Sequence, residues 1–287
     1  MSREAVRKQN PLATGGVAVP APRKELQIDT RVAHSARFWN YLLGGRDNYA
    51  VDREAADQIL LLIPSLRDTV RAERRFLARA VRYLAGSAGI RQFLDIGTGL
   101  PTRENVHEIA LAARSDATVV YVDNDPIVLA HARALLADNV ATVVLEGDLR
   151  APEAIVDGAA AHLDFGEPVA VLLAAILHFV PDDEETYRIV ETLLDRLAPG
   201  GALVVSHAGP AGLSPQAIAE TSAVYAKTAT GSITMRGLSQ VGRYFQGTAL
   251  LEPGVVPVHI WRPEPNQIEL DIDHDLPGGL CGVGIVR

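Results

Sequence analysis

The stretch Phe93-Leu-Asp-Ile-Gly-Thr-Gly-Leu-Pro-Thr102 decides the fold of this 287-residue chain. Its first residues are typical of a buried strand, and the strand is followed by a Gly-x-Gly turn. Glycine in such a turn lets the backbone approach a ligand that a Cβ atom would hold away. A strand, this turn and a following helix form a nucleotide-binding cradle. The sequence therefore predicts a nucleotide-type cofactor at Gly97 and Gly99.

The carboxylate of Asp95, two residues before Gly97, narrows the choice of nucleotide. A dinucleotide would bring a pyrophosphate dianion to this turn, and a fixed negative charge nearby would repel it. S-adenosylmethionine instead carries an ammonium and a sulfonium group, which a carboxylate attracts. The dinucleotide fingerprint also lacks its third glycine, because Thr102 stands at that position. These features favour S-adenosylmethionine over a nicotinamide cofactor.

The composition predicts a globular protein of the cytoplasm. Hydrophobic residues make up 48% of the chain, and no apolar run approaches the roughly 20 residues of a membrane span. The N-terminus lacks the apolar block of a signal peptide, and Cys281 is the only cysteine, as expected in a reducing compartment. The net charge of −8 argues against nucleic acid as a partner, because binding phosphates requires clustered Lys and Arg.

The first part of the chain precedes the cradle and differs from it in pattern. Residues 1–27 are rich in Pro and Gly with few large apolar side chains, which predicts a flexible N-terminal arm. Residues 28–88 are expected to form an N-terminal helical cap. Its three helices are predicted from Arg31, over Asp52–Ile63 and over Leu66–Leu84.

Residues 89–287 are expected to form the cofactor-binding domain, because short apolar runs alternate there with helical stretches. This alternation predicts an α/β fold with a parallel sheet. The predicted strands are Gln92–Ile96, Thr118–Val122, Thr142–Glu146, Val169–Ala174, Ala202–Ser206, Val256–Trp261 and Gly282–Val286. Helices are predicted over Arg103–Arg114, Ile127–Ala137, Asp183–Leu197, Ser214–Thr228 and Leu238–Phe245, with a short one after Arg150.

Two further carboxylates stand at the ends of predicted strands. Asp123 ends the second strand and has the position of an acid that accepts hydrogen bonds from both ribose hydroxyls. The alternative for Asp123 is a turn or capping carboxylate before Pro126, a role that Asp125 fits better. Asp148 closes the third strand, where it could accept a hydrogen bond from an adenine amino group or cap the next helix.

The acid-x-Gly-x-Gly turn and the two strand-end acids resemble the class I methyltransferases that use S-adenosylmethionine, over about residues 90–207. A more specific resemblance rests on His34-Ser-Ala-Arg-Phe-Trp-Asn-Tyr-Leu-Leu-Gly-Gly-Arg-Asp-Asn-Tyr49, Val255-Val-Pro-Val258 and Trp261-Arg-Pro263. These segments are similar to a bacterial S-adenosyl methyltransferase family first catalogued as a domain of unknown function. The resemblance implies a Rossmann-like, doubly wound, mostly parallel sheet of seven strands, with an antiparallel last strand and helices on both faces.

The same resemblance implies a set of cofactor-binding residues. Those around the methionine part are Asp95, Gly97, Thr98, Gly99 and Leu100; those at the ribose and adenine are Asp123, Asn124, Asp148 and Leu149. Ala174, at the end of the fourth predicted strand, is expected at the same edge of the sheet.

The segment with Tyr41, Gly44-Gly45 and Asn48 has two interpretations. Two glycines followed by polar residues could form a tight turn that closes over the cofactor, with Tyr41 and Asn48 as cofactor-binding residues. The alternative is a Schellman-type helix end that exposes its polar residues. The sequence leaves both open.

His178 is the candidate catalytic residue, because it follows the fourth strand, where open α/β sheets place catalytic groups. It could orient a substrate or take its proton, or it could simply pack beside Phe179. The segment lacks the Asn/Asp-Pro-Pro-aromatic signature of nucleobase amino methylation. The predicted function is therefore an S-adenosylmethionine-dependent methyltransferase acting on a small molecule. The alternatives are a non-catalytic S-adenosylmethionine-binding regulator and, with less support, a nicotinamide-dependent oxidoreductase.

Other chemically suggestive residues have structural interpretations. The stretch Asp271-Ile-Asp-His-Asp275 fails the calcium-loop pattern, so a solvated acidic loop is expected and no metal site is predicted. Cys281 lies in an apolar setting that predicts a buried strand thiol. The arginines of the third helix are expected on a solvated face, with Arg75 as a candidate for facing the cleft.

Overall fold

The computed structural model describes residues 29–102, 104–135, 141–263 and 278–287. The predicted flexible arm, residues 1–27, and the acidic stretch Asp271–Asp275 lie outside the described residues. Within the described residues, no helix has the length and apolar character needed to cross a membrane.

One sheet of eight strands forms the centre of the described structure. The strands are β1 Gln92–Ile96, β2 Thr118–Asp123, β3 Thr142–Glu146, β4 Val169–Ala174, β5 Ala202–Ala208, β6 Thr248–Leu250, β7 Val256–Pro257 and β8 Gly279–Val286. Seven of them lie side by side in the order β3-β2-β1-β4-β5-β8-β6, and β7 pairs with β8 next to β6. The first five strands are parallel, whereas β8 runs antiparallel to β5. The predicted fold class is confirmed, and the strand that the sequence did not predict is β6, of three residues.

Helices cover both faces of the sheet because the strand residues alternate between two apolar cores. The helices are α1 Ser35–Leu42, α2 Ala50–Leu62, α3 Leu66–Gly86, α4 Val106–Ala113, α5 Pro126–Leu135, α6 Pro152–Ala159, α7 Asp183–Leu194, α8 Pro215–Tyr225 and α9 Leu238–Arg243. In β1, Phe93 packs into the core formed with α3 and α4, and Leu94 packs into the core formed with α6, α7 and α9. This period of two is what a strand buried on both faces requires.

A third core joins the N-terminal helices to a later part of the chain. Phe38 of α1 and Ile59 of α2 pack with Tyr225 of α8 and with Ile233. Phe179, from the loop after β4, belongs to the same cluster and connects it to the sheet. The predicted helical cap thus shares its core with α8, a contact that spacing within the first 88 residues could not predict.

A buried ion pair fixes the cap internally. The guanidinium Nε of Arg37 lies 3.2 Å from Oδ1 of Asp52, and both side chains are almost fully buried. Asp52 also accepts hydrogen bonds from the backbone N–H groups of His34, at 2.9 Å, and Tyr49, at 2.8 Å. These contacts compensate the cost of burying the carboxylate and tie the start of α1 to the start of α2.

The strand predicted over Val256–Trp261 is shorter in the structure. It ends at Pro257, and the chain turns inward so that Trp261 is fully buried, with its ring edge-on to Phe76 at 5.4 Å. The guanidinium of Arg79 donates to the backbone oxygens of Val258 and Trp261, each at 2.8 Å. Arg79 therefore departs from the predicted solvated face, because its charge satisfies the carbonyl groups of this buried turn.

Candidate active site

One cavity lies beyond the carboxyl ends of β1 to β4, where the strand order reverses between β1 and β4. Ligands of open α/β sheets bind at this switch point. Ten residues predicted for the cofactor line the cavity: Asp95, Gly97, Thr98, Gly99, Leu100, Asp123, Asn124, Asp148, Leu149 and Ala174. Residues of α1 and α3 supply the opposite wall, among them His34, Trp39 and Arg74.

The glycine turn forms the floor of the cavity. Gly97 has a φ of 77°, and a Cβ atom there would lie 2.6 Å from Cγ1 of Ile176. Gly99 has a φ of 67°, and no heavy atom comes within 4 Å of the position that its Cβ would take. A side chain at Gly97 would therefore collide with the loop after β4, and one at Gly99 would enter open space above the turn. The turn fits a ligand that lies against bare backbone.

Opposite charges lie near the end of β1. Asp95 is 4% exposed, and its burial raises the pKa of its carboxyl group to about 7. The Arg74 guanidinium lowers this pKa, and the Asp123 carboxylate raises it. Arg74 belongs to α3, lines the same cavity and donates to Oγ1 of Thr102 at 2.7 Å. Arg74, rather than the Arg75 that the sequence indicated, faces the cleft. A carboxylate and a guanidinium that line one cavity match the ammonium and carboxylate of an amino acid group.

Asp123 is held by the glycine turn of the neighbouring strand. Its Oδ2 accepts a hydrogen bond from the N–H of Gly99 at 2.9 Å, and its Oδ1 accepts one from the N–H of Asp125 at 2.9 Å. Burial raises the pKa of Asp123, and these two backbone donors oppose that effect. The carboxylate is thus fixed at the cavity wall by the backbone on either side of it.

Asp125 takes the capping role that the sequence predicted for it. Its Oδ1 accepts from the N–H of Ile127 at 2.8 Å, at the start of α5, and its Oδ2 lies 2.9 Å from Nδ1 of His34. The His34 hydrogen bond lowers the pKa of Asp125 against the effect of burial. Through this contact the first residue of the α1 region is tied to the end of β2.

The end of β3 provides one apolar and one polar residue. Leu149 is 7% exposed and lines the cavity, whereas Asp148 lies beside it with about half of its side chain exposed. Oδ1 of Asp148 accepts from the N–H of Arg150 at 2.9 Å, and the Arg150 guanidinium donates to the backbone oxygen of Phe179 at 3.1 Å. An apolar surface next to an exposed carboxylate suits the face and the amino edge of an adenine ring.

A family profile described as S-adenosyl methyltransferase matches residues 21–287 of the chain. The chain belongs to the S-adenosyl methyltransferase family. It is an S-adenosylmethionine-dependent methyltransferase. The predicted enzyme class, cofactor and family are therefore confirmed. The alternative of a nicotinamide-dependent oxidoreductase has no support.

Two solved structures are similar to this methyltransferase over most of its length. A candidate methyltransferase from Thermobifida fusca shares 36% identity, with 94% of this chain and 100% of that chain covered and a TM-score of 0.83. A DUF574 family protein from Streptomyces avermitilis shares 39% identity, with 90% and 99% covered and a TM-score of 0.84. A comparison with curated proteins found no match.

The turn after α1 has the geometry of the Schellman alternative. Gly44 has a φ of 82°, the N–H of Gly45 donates to the backbone oxygen of Asn40 at 2.8 Å, and the N–H of Gly44 donates to that of Tyr41 at 2.9 Å. This pair of bonds, 6→1 and 5→2, defines the motif. The glycines therefore end the helix.

Tyr41 and Asn48 do not line the cavity beyond β1 to β4. The hydroxyl of Tyr41 donates to Oδ1 of Asp57 at 2.9 Å, across to α2. The side-chain amide of Asn48 donates to Oδ1 of Asn40 at 2.9 Å, and Asn40 lines the cavity. Asn48 thus has no direct place in the cavity wall, but its hydrogen bond orients the side-chain amide of Asn40, which does line the cavity.

His178 also lies outside the cavity beyond β1 to β4, in the wall of a second pocket. This inner pocket, enclosed by α2, α3, α8 and the loop after β4, shares Trp39, Glu73 and Ala175 with the first cavity. The His178 ring is 2% exposed and packs edge-on to Phe179, with centroids 4.3 Å apart, as the packing interpretation predicted. His178 therefore makes the predicted packing contact with Phe179 and also lines the inner pocket.

Sequence reasoning missed the site residues that come from α1 and α3. His34, Trp39 and Asn40 all lie in the segment that carried the specific family resemblance, so that segment held the signal. Glu73 had a signal of its own, because it stands three residues after Val70 and four before Leu77, on the apolar face of α3. A charged residue on such a face is a candidate for a functional group.

Proposed function

We propose that this methyltransferase holds S-adenosylmethionine in the cavity beyond β1 to β4 and transfers its methyl group to a small molecule. The observation that carries the proposal is the arrangement of two buried carboxylates, Asp95 and Asp123, on either side of the Gly97–Gly99 turn. Bound there, the cofactor supplies a methyl group activated by its attachment to a sulfonium. The chain itself supplies binding, orientation and exclusion of water.

Each end of the cavity has residues suited to one part of the cofactor. Asp95 would accept hydrogen bonds from the ammonium group, and Arg74 would donate to the carboxylate of the methionine part. Asp123, fixed by Gly99, would accept from the ribose hydroxyls. Leu149 would pack against the adenine ring, with Asn124 and Asp148 at its edge.

The acceptor is proposed to be small because helices cover the site. The cluster of α1, α2 and α8 closes over the loop after β4, so a polymer would have to displace packed side chains such as Phe38 and Tyr225. The negative net charge also supports a small acceptor, because a protein that binds nucleic acid needs clustered positive charge.

We further propose a bacterial cytoplasmic setting. Two observations support it: the thiol of Cys281 is buried and unpaired, and the two similar structures come from bacteria.

Calorimetric titration of the full chain tests the cofactor assignment. S-adenosylmethionine and S-adenosylhomocysteine are expected to bind, and NAD is expected not to bind. Formation of S-adenosylhomocysteine in the presence of an acceptor panel, followed by mass spectrometry, tests turnover. Binding of NAD without binding of S-adenosylmethionine would contradict the proposal, and tight cofactor binding without turnover would favour the regulatory alternative.

A further inference from the structure

The inner pocket has apolar walls and a small number of inward polar groups. Its apolar walls are formed by Ile59 of α2, Ile63 directly after α2, Val70 of α3, and Ile233 and Met235 of the loop after α8. It meets the cofactor cavity at Trp39, Glu73 and Ala175, which line both. A predominantly apolar cavity with a few convergent polar groups is the usual form of a small-molecule site.

Three buried polar atoms in this pocket have no hydrogen-bond partner among the described residues. They are Oε1 of Glu73, Nε2 of His178 and Oγ1 of Thr221. The three residues are 5%, 2% and 1% exposed. Folded proteins rarely leave buried polar atoms unpaired, and three in one apolar pocket indicate a ligand that supplies the partners.

The hydrogen-bonding roles of two of these atoms follow from their surroundings. Nδ1 of His178 lies 3.4 Å from the backbone N–H of Ala208 and accepts from it. Burial lowers the pKa of His178 well below its ordinary value, so the imidazole is neutral and its proton is on Nε2. Nε2–H is therefore an unpartnered donor on a residue that lines the pocket. His178 is suited to orienting an oxygen and unsuited to taking a proton from it.

Glu73 is the group in this pocket that can take a proton. Its burial raises the pKa of Glu73 to about 7. A hydrogen bond from Ser206 of β5 and the nearby positive charge of Arg74 on α3 act in the opposite direction and lower the pKa. The Cys281 thiol of β8 also faces it, and its own pKa is raised by burial. Near neutral pH a large part of Glu73 is ionised, and its unpartnered Oε1 is the acceptor in the pocket.

The backbone between the two cavities is strained. Ala175, which lines both, has a φ of 54°, a region that a residue with a Cβ atom rarely adopts. Its N–H is held by Ser206, with 3.2 Å to the backbone oxygen and 3.0 Å to Oγ. Strain of this kind is retained where surrounding contacts fix it, commonly at functional sites. The same Ser206 thus bonds both Glu73 and the strained residue.

We propose that the inner pocket binds the methyl acceptor, and that this acceptor is a small, largely apolar hydroxyl compound. The proposal rests on the proposed function. Its O–H donates to Oε1 of Glu73, and its oxygen accepts from Nε2–H of His178. A hydroxyl both donates and accepts, whereas an ammonium group only donates and would leave His178 without a partner. The apolar walls bind the remainder of the molecule.

The transfer step balances with Glu73 as the base. The hydroxyl oxygen uses a lone pair to form a bond with the methyl carbon held on sulfur. The carbon–sulfur bond breaks, and its electron pair stays on sulfur, which becomes neutral. The hydroxyl proton passes to the Glu73 carboxylate and is later released to water. The products are the methyl ether, S-adenosylhomocysteine and one proton.

Matched alcohol and amine probes test this assignment with the full chain. Cyclohexanol and benzyl alcohol are compared with cyclohexylamine and benzylamine, which are ammonium ions near neutral pH, by calorimetric binding in the presence of S-adenosylhomocysteine and by product formation. Hydroxyl compounds are expected to bind and be methylated at least 10-fold better than the matched amines. Preference for amines, or binding of no hydroxyl compound, would overturn the inference, and S-adenosylmethionine binding measured separately shows whether the proposed function still holds.

Substitutions separate a catalytic role of Glu73 from a structural one. Glu73→Gln is expected to lower kcat/KM for the best hydroxyl probe at least 100-fold and to change the Kd for S-adenosylmethionine less than 3-fold. His178→Phe is expected to lower kcat/KM about 10-fold, chiefly through KM. Glu54→Gln, on the exposed side of α2, is the control and is expected to stay within 2-fold of wild type.

Folding of the Glu73→Gln variant is checked at pH 8. Its Tm there is expected to equal or exceed that of wild type, because the burial that raises the pKa of Glu73 to about 7 disfavours the ionised group in the folded state. Unchanged kcat/KM in a folded Glu73→Gln protein would overturn the role of Glu73 as base. A kcat/KM for wild type that does not rise between pH 6 and pH 8 would overturn it as well.

Discussion

The N–H of Gly99 donates to Oδ2 of Asp123 at 2.9 Å, so that the glycine turn after β1 holds the carboxylate at the end of β2. The two residues are 24 positions apart in the sequence, and the strand before the Gly99 turn and the strand that ends at Asp123 are parallel neighbours. The donor is a backbone group, and the positive φ of Gly99, which glycine adopts without strain, belongs to the turn that carries it. The contact fixes the position of the carboxylate independently of the cofactor.

Replacing Asp123 with Ala is expected to weaken S-adenosylmethionine binding by about 1–3 kcal/mol, the scale of lost hydrogen bonds to a charged group. Isothermal titration calorimetry measures the change. Asp116→Ala is the matched control, because Asp116 is exposed just before β2, at the opposite end of the strand. An equal loss of affinity in both variants would show that Asp123 does not contact the cofactor.

Cofactor affinity is expected to depend on pH through Asp95. Burial raises the pKa of Asp95 to about 7, and only the ionised carboxylate attracts an ammonium group. Affinity should therefore increase as the pH rises from 6 to 8. In Asp95→Asn, affinity at pH 8 should be lower by about 1–3 kcal/mol and should vary less with pH. Titrations at several pH values measure this, and an unchanged pH profile in the variant would count against the assignment.

Gly97→Ala is expected to destabilise the fold by about 1–3 kcal/mol, because φ is positive and the new Cβ would collide with Ile176. Urea denaturation measures the free energy of unfolding. Gly86→Ala is the control: Gly86 is helical, and nothing lies within 4 Å of its Cβ position. That variant should equal wild type or gain about 0.4–1 kcal/mol. The prediction fails if the two variants unfold alike.

Asp52→Ala is expected to lower the free energy of unfolding by about 3–5 kcal/mol, because it leaves the buried charge of Arg37 without its partner. Asp157→Ala removes a partner from an exposed pair with Arg196, at 3.3 Å, and should cost about 0.5 kcal/mol or less. Chemical denaturation of both variants gives the comparison. A small loss for Asp52→Ala would mean that the cap does not depend on this ion pair.

Local patterns in the sequence were enough to predict the central sheet. The period of two in the strands and the Gly-x-Gly turn after β1 identified the parallel core, and the strands β1 and β3 begin and end where they were predicted. The end of the chain was harder to predict. Val258–Trp261 has the apolar character of a strand but turns inward, because its carbonyl groups bind the Arg79 guanidinium, a partner 179 residues away at Val258.

The sequence by itself determined the fold class and the residues that line the cavity at the strand ends, because strand, turn and carboxylate are adjacent in the chain and their geometry is local. Only the tertiary structure decided the opposite wall. Packing of α3 against the sheet places Arg74 in the wall of the cavity beyond β1 to β4 and Glu73 in the wall of the inner pocket, which His178 also lines. Neither choice can be read from α3 alone, because the direction in which a helix side chain points depends on what the helix packs against.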